Sequence, residues 1–546
     1  MTEANQPTPL EPYNLYSTDP VLAAAVEREG GPAALAGLEK FGERVGSAEV
    51  YEWGFLANEN SPELLSHDRF GDRIDEVRYH PAYHSLLDLS VSEGIHAGHY
   101  DSEPGDGGYI ARNARMFLSA QVEVGHHCPT SMTGAVLHAL RHQPDIAEIW
   151  EPRIRTRSYD RRLVDPANKS GCLLGMGMTE RQGGSDVRAN TSTAVPATSG
   201  GGAGTEYRLT GHKWFTSAPM CDAFMVLANA PKGLSCFLVP RVLPGGERNP
   251  LQLMRLKDKL GNRSNASSEM EYTDAAGWMI GEEGRGVNTI IEMVSGTRVD
   301  CTNWAAALMR QAVSQAAWHV SQRSAFGSTL IDKPLMQNVL ADLELETEAA
   351  TLMVMRLSGA FERSPIDEGE AALFRLGSAV AKYWITKRST PVVREALECV
   401  GGNGYVEESI LPRLYREAPL NAIWEGAGNV IALDVLRALA RAPHVGEAFM
   451  AELERAAGAD PRLDAEITSV GQALTEAGAD EMGARRLIER LAVCWSATLL
   501  AQHGDAAVSD AYIRSRIGGD RGAEFGTLAP HSDIDTIAGR AVPMPA

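Results

Sequence analysis

Apolar and polar positions follow a helix–strand–helix order along the 546-residue chain. The run VLAAAV at 21–26 and the recurrence of Leu335, Val339 and Leu343 are typical of helices. Between such regions glycine becomes dense, and short alternating runs such as EYRL at 206–209 predict antiparallel strands. We therefore expect an α+β multidomain chain. Its predicted segments are an N-terminal arm and helical domain (1–171), a middle β domain (172–282), a helical bundle (283–440) and an extra helical region (441–546).

Glycines and prolines predict where several elements end. Residues 197–205 contain four glycines between two strand patterns and predict a hairpin loop. Pro334, Pro365 and Pro391 predict helix starts or breaks, because proline lacks the amide N–H that a helix interior uses.

The composition indicates an acidic globular protein. A net charge of −20 and a pI near 5.2 disfavour nucleic-acid backbones unless a local basic patch compensates. The seven cysteines are scattered and form no C-x-x-C, as in reduced cytosolic proteins. The first residues are polar, and no run of 18 apolar residues occurs. We therefore expect a cytoplasmic protein with no signal peptide and no membrane span.

One carboxylate stands between bulky apolar residues and a glycine-rich turn. Glu425 follows Ile423 and Trp424 and precedes Gly426. Burial against tryptophan disfavours the charged form, so we expect the pKa of Glu425 to be raised. Such a pKa suits a general base that works near neutral pH. Because most glutamates are solvated surface groups, this hypothesis depends on other segments of the chain.

Two segments of the predicted β domain combine glycines, hydroxyls and aromatic rings. The first, GMGMTERQGGSD at 175–186, allows close backbone approach to a flat ligand or a phosphate. It lacks the third glycine and the βαβ flanks of a dinucleotide fingerprint, so a Rossmann site is excluded. The second, GHKWFTS at 211–217, can wall a ring and bond its edge. Taken singly, a β-turn and a core aromatic pair are the ordinary alternatives.

Two further segments lie in the predicted helical bundle. Arg323, in QRSAFG at 322–327, can neutralise a pyrophosphate or simply meet a helix dipole. The glycine-rich GGNGY at 401–405 precedes the Glu425 segment.

In order and approximate spacing, these segments resemble the acyl-CoA dehydrogenase family over roughly residues 80–440. The chain resembles still more closely the AidB-type branch, which belongs to the adaptive response to DNA alkylation. This second resemblance is carried by RYHP at 78–81, LKDKLGNRSNAS at 256–267, LPRLYRE at 411–417 and DVLR at 434–437. It implies the acyl-CoA dehydrogenase fold, with a helical domain, a β domain and a helical bundle, followed here by the extra helical region.

The resemblance implies FAD as cofactor and acyl-CoA as substrate. Glu425 would remove the α-proton while the β-hydrogen leaves as hydride to flavin N5, and an electron-transfer flavoprotein or similar acceptor would take the electrons. Arg323 and Phe326 would act on the FAD of a neighbouring chain, which implies a homo-oligomer, a tetramer. The residues implied in cofactor binding are Met178, Thr179, Gly184, Ser185, Trp214, Phe215, Thr216, Ser217, Arg323, Phe326, Gly401, Gly402, Ala427 and Asn429.

The chain departs from the family pattern at three places. Ala427 stands where many members have Thr, and Glu398 where many have Gln. The loop around Arg263 differs from the usual substrate-side loop, which makes Arg263 a candidate substrate contact. We expect a short or branched acyl chain of isovaleryl size.

A DNA-binding flavoprotein that protects against alkylation damage, with weak or vestigial dehydrogenase activity, is the competing hypothesis. It needs a basic surface. Residues 441–546 hold 16 acidic residues, 10 arginines and no lysine, which disfavours DNA binding. Ion-paired helix faces are the ordinary alternative for these arginines. The arginines available for a local stripe are Arg485, Arg486, Arg490, Arg514, Arg516 and Arg521, together with the candidate DNA contact Arg437.

Two further classes of flavin or metal enzyme are less favoured. Flavin oxidases and monooxygenases of this fold often lose the base, so the retained Glu425 favours dehydrogenation. His80 and His84 have i,i+4 spacing, but Pro81 lies between them, and we expect no metal site.

Overall fold

The computed structural model describes residues 5–476, 480–530 and 533–544. The helices are α1 (Pro20–Ala34), α2 (Leu38–Val45), α3 (Ala48–Glu59), α4 (Pro81–Ser92), α5 (Gly108–Ala120), α6 (His127–Leu140), α7 (Pro144–Ile154), α8 (Gly286–Gln322), α9 (Pro334–Arg363), α10 (Glu368–Val400), α11 (Gly402–Tyr405), α12 (Ile410–Asn421), α13 (Gly428–Arg441), α14 (Pro443–Glu454), α15 (Pro461–Glu476), α16 (Ala484–His503), α17 (Ala506–Tyr512) and α18 (Ile534–Arg540). The strands are β1 (Glu63–His67), β2 (Arg73–Arg78), β3 (Leu174–Gly177), β4 (Thr193–Pro196), β5 (Glu206–Ser217), β6 (Ala223–Ala230), β7 (Gly233–Pro240), β8 (Leu251–Leu256), β9 (Ser267–Ile280), β10 (Ser324–Ala325) and β11 (Ser328–Thr329).

The chain forms two compact units, each built from segments that are distant in sequence. The first, here called the helical unit, comprises Met1–Tyr51, Ser102–Val122 and Arg298–Ala546. The second, here called the sheet unit, comprises Glu52–Asp101 and Glu123–Thr297.

The sheet unit is organised around a seven-stranded sheet in the order β3-β6-β4-β5-β9-β7, with β8 paired to β9. Strand β6 also pairs with β7, which closes the sheet on itself. The predicted hairpin at 197–205 is confirmed, because Pro196 of β4 lies opposite Tyr207 of β5 in an antiparallel register. The sheet is mixed rather than wholly antiparallel, since β3 runs parallel to β6.

One irregularity in this sheet falls on the predicted aromatic pair. Strands β5 and β9 pair from Glu206 opposite Trp278 to Ser217 opposite Ser267, but the register shifts between Lys213 and Thr216. A bulge of this kind bends the strand and re-aims its side chains. Trp214 and Phe215 therefore leave the strand in directions that simple alternation does not give.

Long helices dominate the helical unit. Helices α9 and α10 have 30 and 33 residues, and residues 340–360 of α9 are all buried. Pro334 begins α9, as predicted. The break expected at Pro391 is wrong, because this residue lies inside α10. Dense packing along the helix outweighs the hydrogen bond that an internal proline removes.

Helix α9 carries four buried acidic residues at alternate positions, which we call the acidic row: Asp342, Glu344, Glu346 and Glu348. Arg516 lies against Asp342 and, at 2.9 Å, against Glu346. Arg540 reaches Glu348 at 2.6 Å. Arg516 and Arg540 belong to the extra helical region, so buried ion pairs fasten that region to the bundle.

None of the helices in the described ranges is long and apolar enough to cross a membrane.

Candidate functional site

The predicted base lies in the loop between α12 and α13, in a left-handed conformation. Glu425 has φ +55° and Gly426 has φ +104°. A non-glycine residue rarely adopts this conformation, and it persists only where surrounding structure enforces it. The Glu425 side chain is half-buried. The loop thus presents one carboxylate from a constrained turn.

Two tryptophan rings lie next to this turn. The Trp424 ring centroid is 5.6 Å from that of Trp304 on α8. Its indole N–H donates to Asn421 Oδ1 at 3.2 Å, which fixes the orientation of the ring. A raised pKa for Glu425 remains a prediction.

Two buried cations that sequence reasoning missed bind the backbone of the turn. Arg298 Nε donates to the Glu425 carbonyl oxygen at 3.0 Å. Lys382 Nζ donates to the Gly426 carbonyl oxygen at 2.5 Å. They come from α8 and α10, and their only sequence signal is a charged residue inside an otherwise apolar helical pattern.

Arg298 is itself held by a carboxylate. Its guanidinium lies 3.0 Å from Asp434 on α13, and Arg375 lies 2.8 Å from the same carboxylate. Burial alone would raise the pKa of Asp434, but the charges of Arg298 and Arg375 lower it. The carboxylate is therefore ionised at neutral pH and keeps Arg298 aligned with the turn.

The residues that follow the base lie at the start of α13. Ala427 and Asn429 are both exposed. Asn429 Oδ1 accepts a hydrogen bond of 2.8 Å from Arg485 Nε. Arg485 belongs to α16, so the extra helical region reaches the segment next to the predicted base. Arg437, the candidate DNA contact, is exposed farther along α13.

Arg323 and Phe326 lie on a short hairpin formed by β10 and β11. Phe326 and Gly327 form its tip, with φ of +52° and +83°. The Phe326 side chain is 98% exposed. Positive φ at both central residues is typical of a tight hairpin turn, where glycine or asparagine is usual. The strained turn therefore displays an apolar ring to the outside.

The N-terminal arm links this hairpin to the glycine-rich segment at 401–405. Asn5 Nδ2 donates to the Ser324 carbonyl at 2.6 Å, and Ser324 N donates to Asn5 Oδ1 at 2.9 Å. The Arg323 guanidinium donates to the Asn5 carbonyl. Asn403 Nδ2 donates to Gln6 Oε1 at 2.8 Å. The arm thus connects Arg323 with the turn that contains Gly401 and Gly402, both exposed.

In the sheet unit, the two predicted cofactor segments are hydrogen-bonded to each other. Trp214 N donates to the Thr179 carbonyl at 2.8 Å. The adjacent Lys213 Nζ lies 2.6 Å from Glu180. Burial alone would raise the pKa of Glu180, but Lys213 and backbone donors lower it to about 2. Glu180 is therefore a buried anchor that keeps Met178 and Thr179 beside β5.

Cations approach both rings of the aromatic pair, since Lys257 Nζ also lies 4.8 Å from the Phe215 ring centroid. Lys257 Nζ lies 3.3 Å from the Trp214 ring centroid, and the Arg181 guanidinium lies 5.2 Å from it. Cations at such distances are attracted to an indole face. Phe215 is 49% exposed. The more accessible flat ring of the pair is therefore Phe215.

The hydroxyls of the segment do not all share a face. Thr216 is fully buried, and its Oγ1 has no hydrogen-bond partner among the described residues. Ser217 is partly exposed and its Oγ lies 3.3 Å from Ser267 Oγ. Thr216 thus lies on the opposite side of β5 from Phe215.

The glycine loop after β3 passes very close to Thr179. A Cβ at Gly184 would lie 2.8 Å from Thr179 Oγ1, so a larger residue would have to displace the hydroxyl. The neighbouring Ser185 is exposed. The loop therefore keeps an exposed serine hydroxyl near the Thr179 segment.

Arg263 is exposed on a loop anchored by a buried acid. Ser264 Oγ donates to Glu123 Oε1 at 2.7 Å, and His126 Nδ1 lies 2.7 Å from Glu123 Oε2. His126 Nε2 is in turn 2.9 Å from Ser90 Oγ. This Ser–His–Glu arrangement resembles a hydrolase triad, but all three side chains are buried. It fixes the Arg263 loop instead of meeting a substrate.

Models of known protein families match three successive parts of the chain. The chain matches the model of the adaptive response protein AidB N-terminal domain over residues 5–161. It matches the acyl-CoA dehydrogenase middle domain over 175–275 and the C-terminal domain over 284–440. The chain belongs to the acyl-CoA dehydrogenase family. Within it, the chain is of the AidB type.

Individual relatives agree along most of the chain. AidB of Escherichia coli (strain K12) is 45% identical over 483 residues, which cover 88% of each chain. Acyl-CoA dehydrogenase family member 11 of Caenorhabditis elegans is 32% identical, over 85% of this chain and 77% of its own. The solved structure of C. elegans ACDH-11 in complex with C11-CoA has a TM-score of 0.83 at 28% identity, over 100% of this chain and 93% of that one. These matches confirm the predicted fold class.

Membership of the acyl-CoA dehydrogenase family supports FAD as the cofactor, and the residues present suit it. An acyl-CoA dehydrogenase of Bacillus anthracis complexed with FAD has a TM-score of 0.67 at 17% identity, over 94% of this chain and 88% of that one, which shows a shared fold. In the sheet unit of the present protein, the Phe215 ring and the Ser185 hydroxyl are exposed. In the helical unit a Cβ at Gly401 or Gly402 would meet open space, so backbone is accessible there. Aromatic faces, hydroxyls and open backbone fit a flat ring and a phosphate.

Three of the seven arginines considered for DNA binding are used in ion pairs. Arg490 lies 2.9 Å from Glu466, and Arg514 lies 2.9 Å from Asp510. Arg516 is buried against the acidic row. The ordinary alternative of ion-paired helix faces therefore describes these three arginines. Among the residues that the structure describes, no group of three or more His, Cys, Asp or Glu side chains could hold a metal ion.

Proposed function

We propose that the protein is an FAD-dependent acyl-CoA dehydrogenase in which Glu425 is the catalytic base. The observation that carries the proposal is a half-buried carboxylate, at the matching family position, in a constrained left-handed turn. A base must be positioned within hydrogen-bond reach of the proton that it removes, so a fixed turn serves this chemistry.

The residues of the chain have distinct roles in this reaction. Glu425 accepts the α-proton of the thioester, and backbone N–H donors polarise the thioester oxygen. Phe215, Thr179 and Ser185 are proposed cofactor contacts, and so are Ala427 and Asn429. When bound, FAD supplies the acceptor for the β-hydride. The remaining predicted cofactor residues are Met178, Gly184, Trp214, Thr216, Ser217, Arg323, Phe326, Gly401 and Gly402.

The substrate class is an acyl-CoA thioester, with Arg263 as a contact of the CoA portion. The exposed guanidinium on an anchored loop supports this role, because a fixed arginine suits phosphate recognition. The ACDH-11 relative was solved with C11-CoA, which supports a CoA ester. We propose a short or branched acyl group, of isovaleryl size, and an electron-transfer flavoprotein or similar acceptor.

We also propose a homotetramer in the cytoplasm, in which Arg323 and Phe326 contact the FAD of a neighbouring chain. The observation behind it is the 98% exposed Phe326 at the tip of the hairpin. Burial of this ring against a neighbouring chain would remove apolar surface from water and so stabilise the assembly.

The decisive experiment is an anaerobic titration of the purified flavoprotein with straight and branched acyl-CoAs of increasing length, followed in the visible flavin band. We expect one acyl-CoA class to bleach the band. Glu425→Gln should abolish bleaching, whereas Glu408→Gln, in an exposed neighbouring loop, should not. A bound flavin that no acyl-CoA reduces would overturn the proposal and favour the DNA-binding alternative, for which salt-dependent DNA binding is the measurement.

A further inference from the structure

Charged side chains donate hydrogen bonds to the backbone of the turn that carries Glu425. Two consecutive residues, Glu425 and Gly426, have positive φ, and the carbonyl oxygen of each accepts a hydrogen bond from a charged side chain. Hydrogen bonds from ionised donors are roughly twice as strong as neutral ones. The two charges therefore stabilise a backbone shape that Glu425 would not adopt unaided.

We propose that Arg298 and Lys382 are positioning residues that clamp the Glu425–Gly426 turn and keep the Glu425 carboxylate placed and ionised. The proposal rests on the proposed function, since Glu425 is the base of that reaction. Neither residue is proposed to touch substrate or cofactor.

The Arg298 half of the clamp is rigid. Arg298 is 8% exposed, and its guanidinium is shared between the Glu425 carbonyl at 3.0 Å and Asp434 at 3.0 Å. Two bonds in different directions fix a planar guanidinium, whereas the point charge of a lysine would satisfy only one of them. Arg298 thereby ties the turn to α8 and α13 together.

The Lys382 half of the clamp lies deep in the helical unit. Its side chain is 1% exposed, a position where an apolar residue would pack without losing hydration. Its Nζ lies 2.5 Å from the Gly426 carbonyl oxygen. The hydrogen bond and the positive charge that Lys382 supplies to the turn offset the cost of burying its ammonium group.

The charged neighbours of Lys382 come from three elements. Burial is the largest effect and lowers the pKa of Lys382 to about 8. Cys301 of α8 and Glu425 of the loop oppose that effect, while Arg298 of α8 and Lys387 of α10 add to it. Lys382 is therefore still cationic at neutral pH, and Glu425 belongs to its electrostatic surroundings.

The positive charge of Lys382 has a direct consequence for the base. Burial beside Trp424 disfavours the carboxylate form of Glu425, whereas a nearby cation favours it. Removing the cation should raise the pKa of Glu425, and the protonated acid cannot remove a proton. A purely structural lysine would affect stability without moving this pKa.

The test compares Lys382→Met with wild type by stopped-flow reduction of the flavin by acyl-CoA across pH. We expect the acid limb of the rate profile to move up by about one pH unit or more. Lys382→Arg, which retains the charge, should move the acid limb by less than Lys382→Met does. Lys40→Met, an exposed change of the same type on α2, should leave the profile unchanged.

Arg298→Met tests the other half of the clamp. Loss of the carbonyl bond should slow flavin reduction by about tenfold or more, because small displacements of a catalytic group have large effects on rate. Arg394→Met, on the exposed part of α10, is the matched control and should keep the wild-type rate.

A second readout separates this proposal from the proposed function. The carboxyl stretching band of Glu425, assigned by its absence in Glu425→Gln, reports the protonation of that residue by infrared difference spectroscopy. We expect the band to titrate at higher pH in Lys382→Met, whether or not any acyl-CoA reduces the flavin. Coincident titrations in the two proteins would overturn the clamp proposal, and failure of reduction in the wild type would overturn only the proposed function.

Discussion

At the scale of single residues, the base loop tolerates little change at Gly426. Its φ is +104°, and an added Cβ would lie 2.9 Å from Ile431 Cδ1. We expect Gly426→Ala to lower the free energy of unfolding by about 1–2 kcal/mol, because a left-handed conformation is unfavourable for alanine. Flavin reduction should slow as well. Urea unfolding and stopped-flow measurements check the two effects.

The control for this change is Gly539→Ala. Gly539 lies in α18, and an added Cβ would meet no atom within 4 Å. Alanine is the better helix former, so stability should stay the same or rise by up to about 1 kcal/mol. Equal losses in the two variants would mean that the turn at Gly426 is not specially constrained.

A second residue-scale expectation concerns pH. Lys382 has its folded-state pKa lowered from 10.5 to about 8, chiefly by burial. Below pH 8 the folded state bears the unfavourable buried charge, and that penalty is relieved as pH rises from 8 to 10.5. The stability difference between wild type and Lys382→Met should therefore change across this window. Urea titrations at several pH values measure it, and a constant difference would contradict the expectation.

Sequence motifs locate single residues better than they locate their partners. Glu425 and its glycine turn follow from local sequence. Arg298 and Lys382 do not, because they lie 127 and 44 positions from the carbonyls they bind. The directions of the Trp214 and Phe215 side chains also escape prediction, since a bulge between Lys213 and Thr216 interrupts the alternation that the sequence predicts.

At the scale of elements, the N-terminal arm organises the hairpin of Arg323. We expect Asn5→Ala to increase hydrogen exchange across residues 324–329 and to weaken FAD retention, because Asn5 bonds both the Ser324 backbone and the Arg323 side chain. Exchange mass spectrometry and flavin content check this. Asn60→Ala, whose amide bonds only its own helix end at Leu56, should change neither.

Arg514 and Arg516 lie on the same turn of π-helix, Ile513–Ile517. Substitution of one is therefore a control for substitution of the other. Arg516→Met should lower the free energy of unfolding by about 3–5 kcal/mol, because Asp342 and Glu346 would lose a buried partner. Arg514→Met should change it by less than about 1 kcal/mol, since its pair with Asp510 is near the surface. Similar effects of both changes, in chemical denaturation, would show that the acidic row does not depend on Arg516.

Element types follow from pattern more readily than element boundaries. The hairpin at 197–205 and the start of α9 at Pro334 are predicted because local chemistry decides them. Helix α10 continues through Pro391 because tertiary packing overrides a local signal. The hairpin of β1 and β2 interrupts a region that we predicted to be helical. The local signal that could have identified it is the turn between the strands, where Asp68 accepts backbone hydrogen bonds and Gly71 has φ +94°.

At the scale of the whole molecule, the proposed assembly depends on the hairpin tip. We expect Phe326→Asp to dissociate the proposed tetramer into smaller species and to release FAD, because a charge replaces an exposed apolar ring. Light scattering coupled to gel filtration measures the mass. Phe70→Asp, at another ring that is 75% exposed, is the control, and an equal mass change there would contradict a specific role of the hairpin.

Family membership and helix–strand–helix order could be predicted from the sequence, but the attachment of residues 441–546 could not. That attachment depends on arginines and acids that are far apart in sequence, such as Arg540 and Glu348. Composition alone shows an acidic, helical segment.

The acidic row also constrains how such a chain can change through evolution. Asp342, Glu346 and Glu348 each take an arginine that lies beyond residue 512. Glu346 would keep Arg388, but a lineage that lost this tail would leave the buried carboxylates of Asp342 and Glu348 without their ion pairs and would first need neutral substitutions there. Chimaeras between relatives should therefore exchange α9 and the tail as one inherited block.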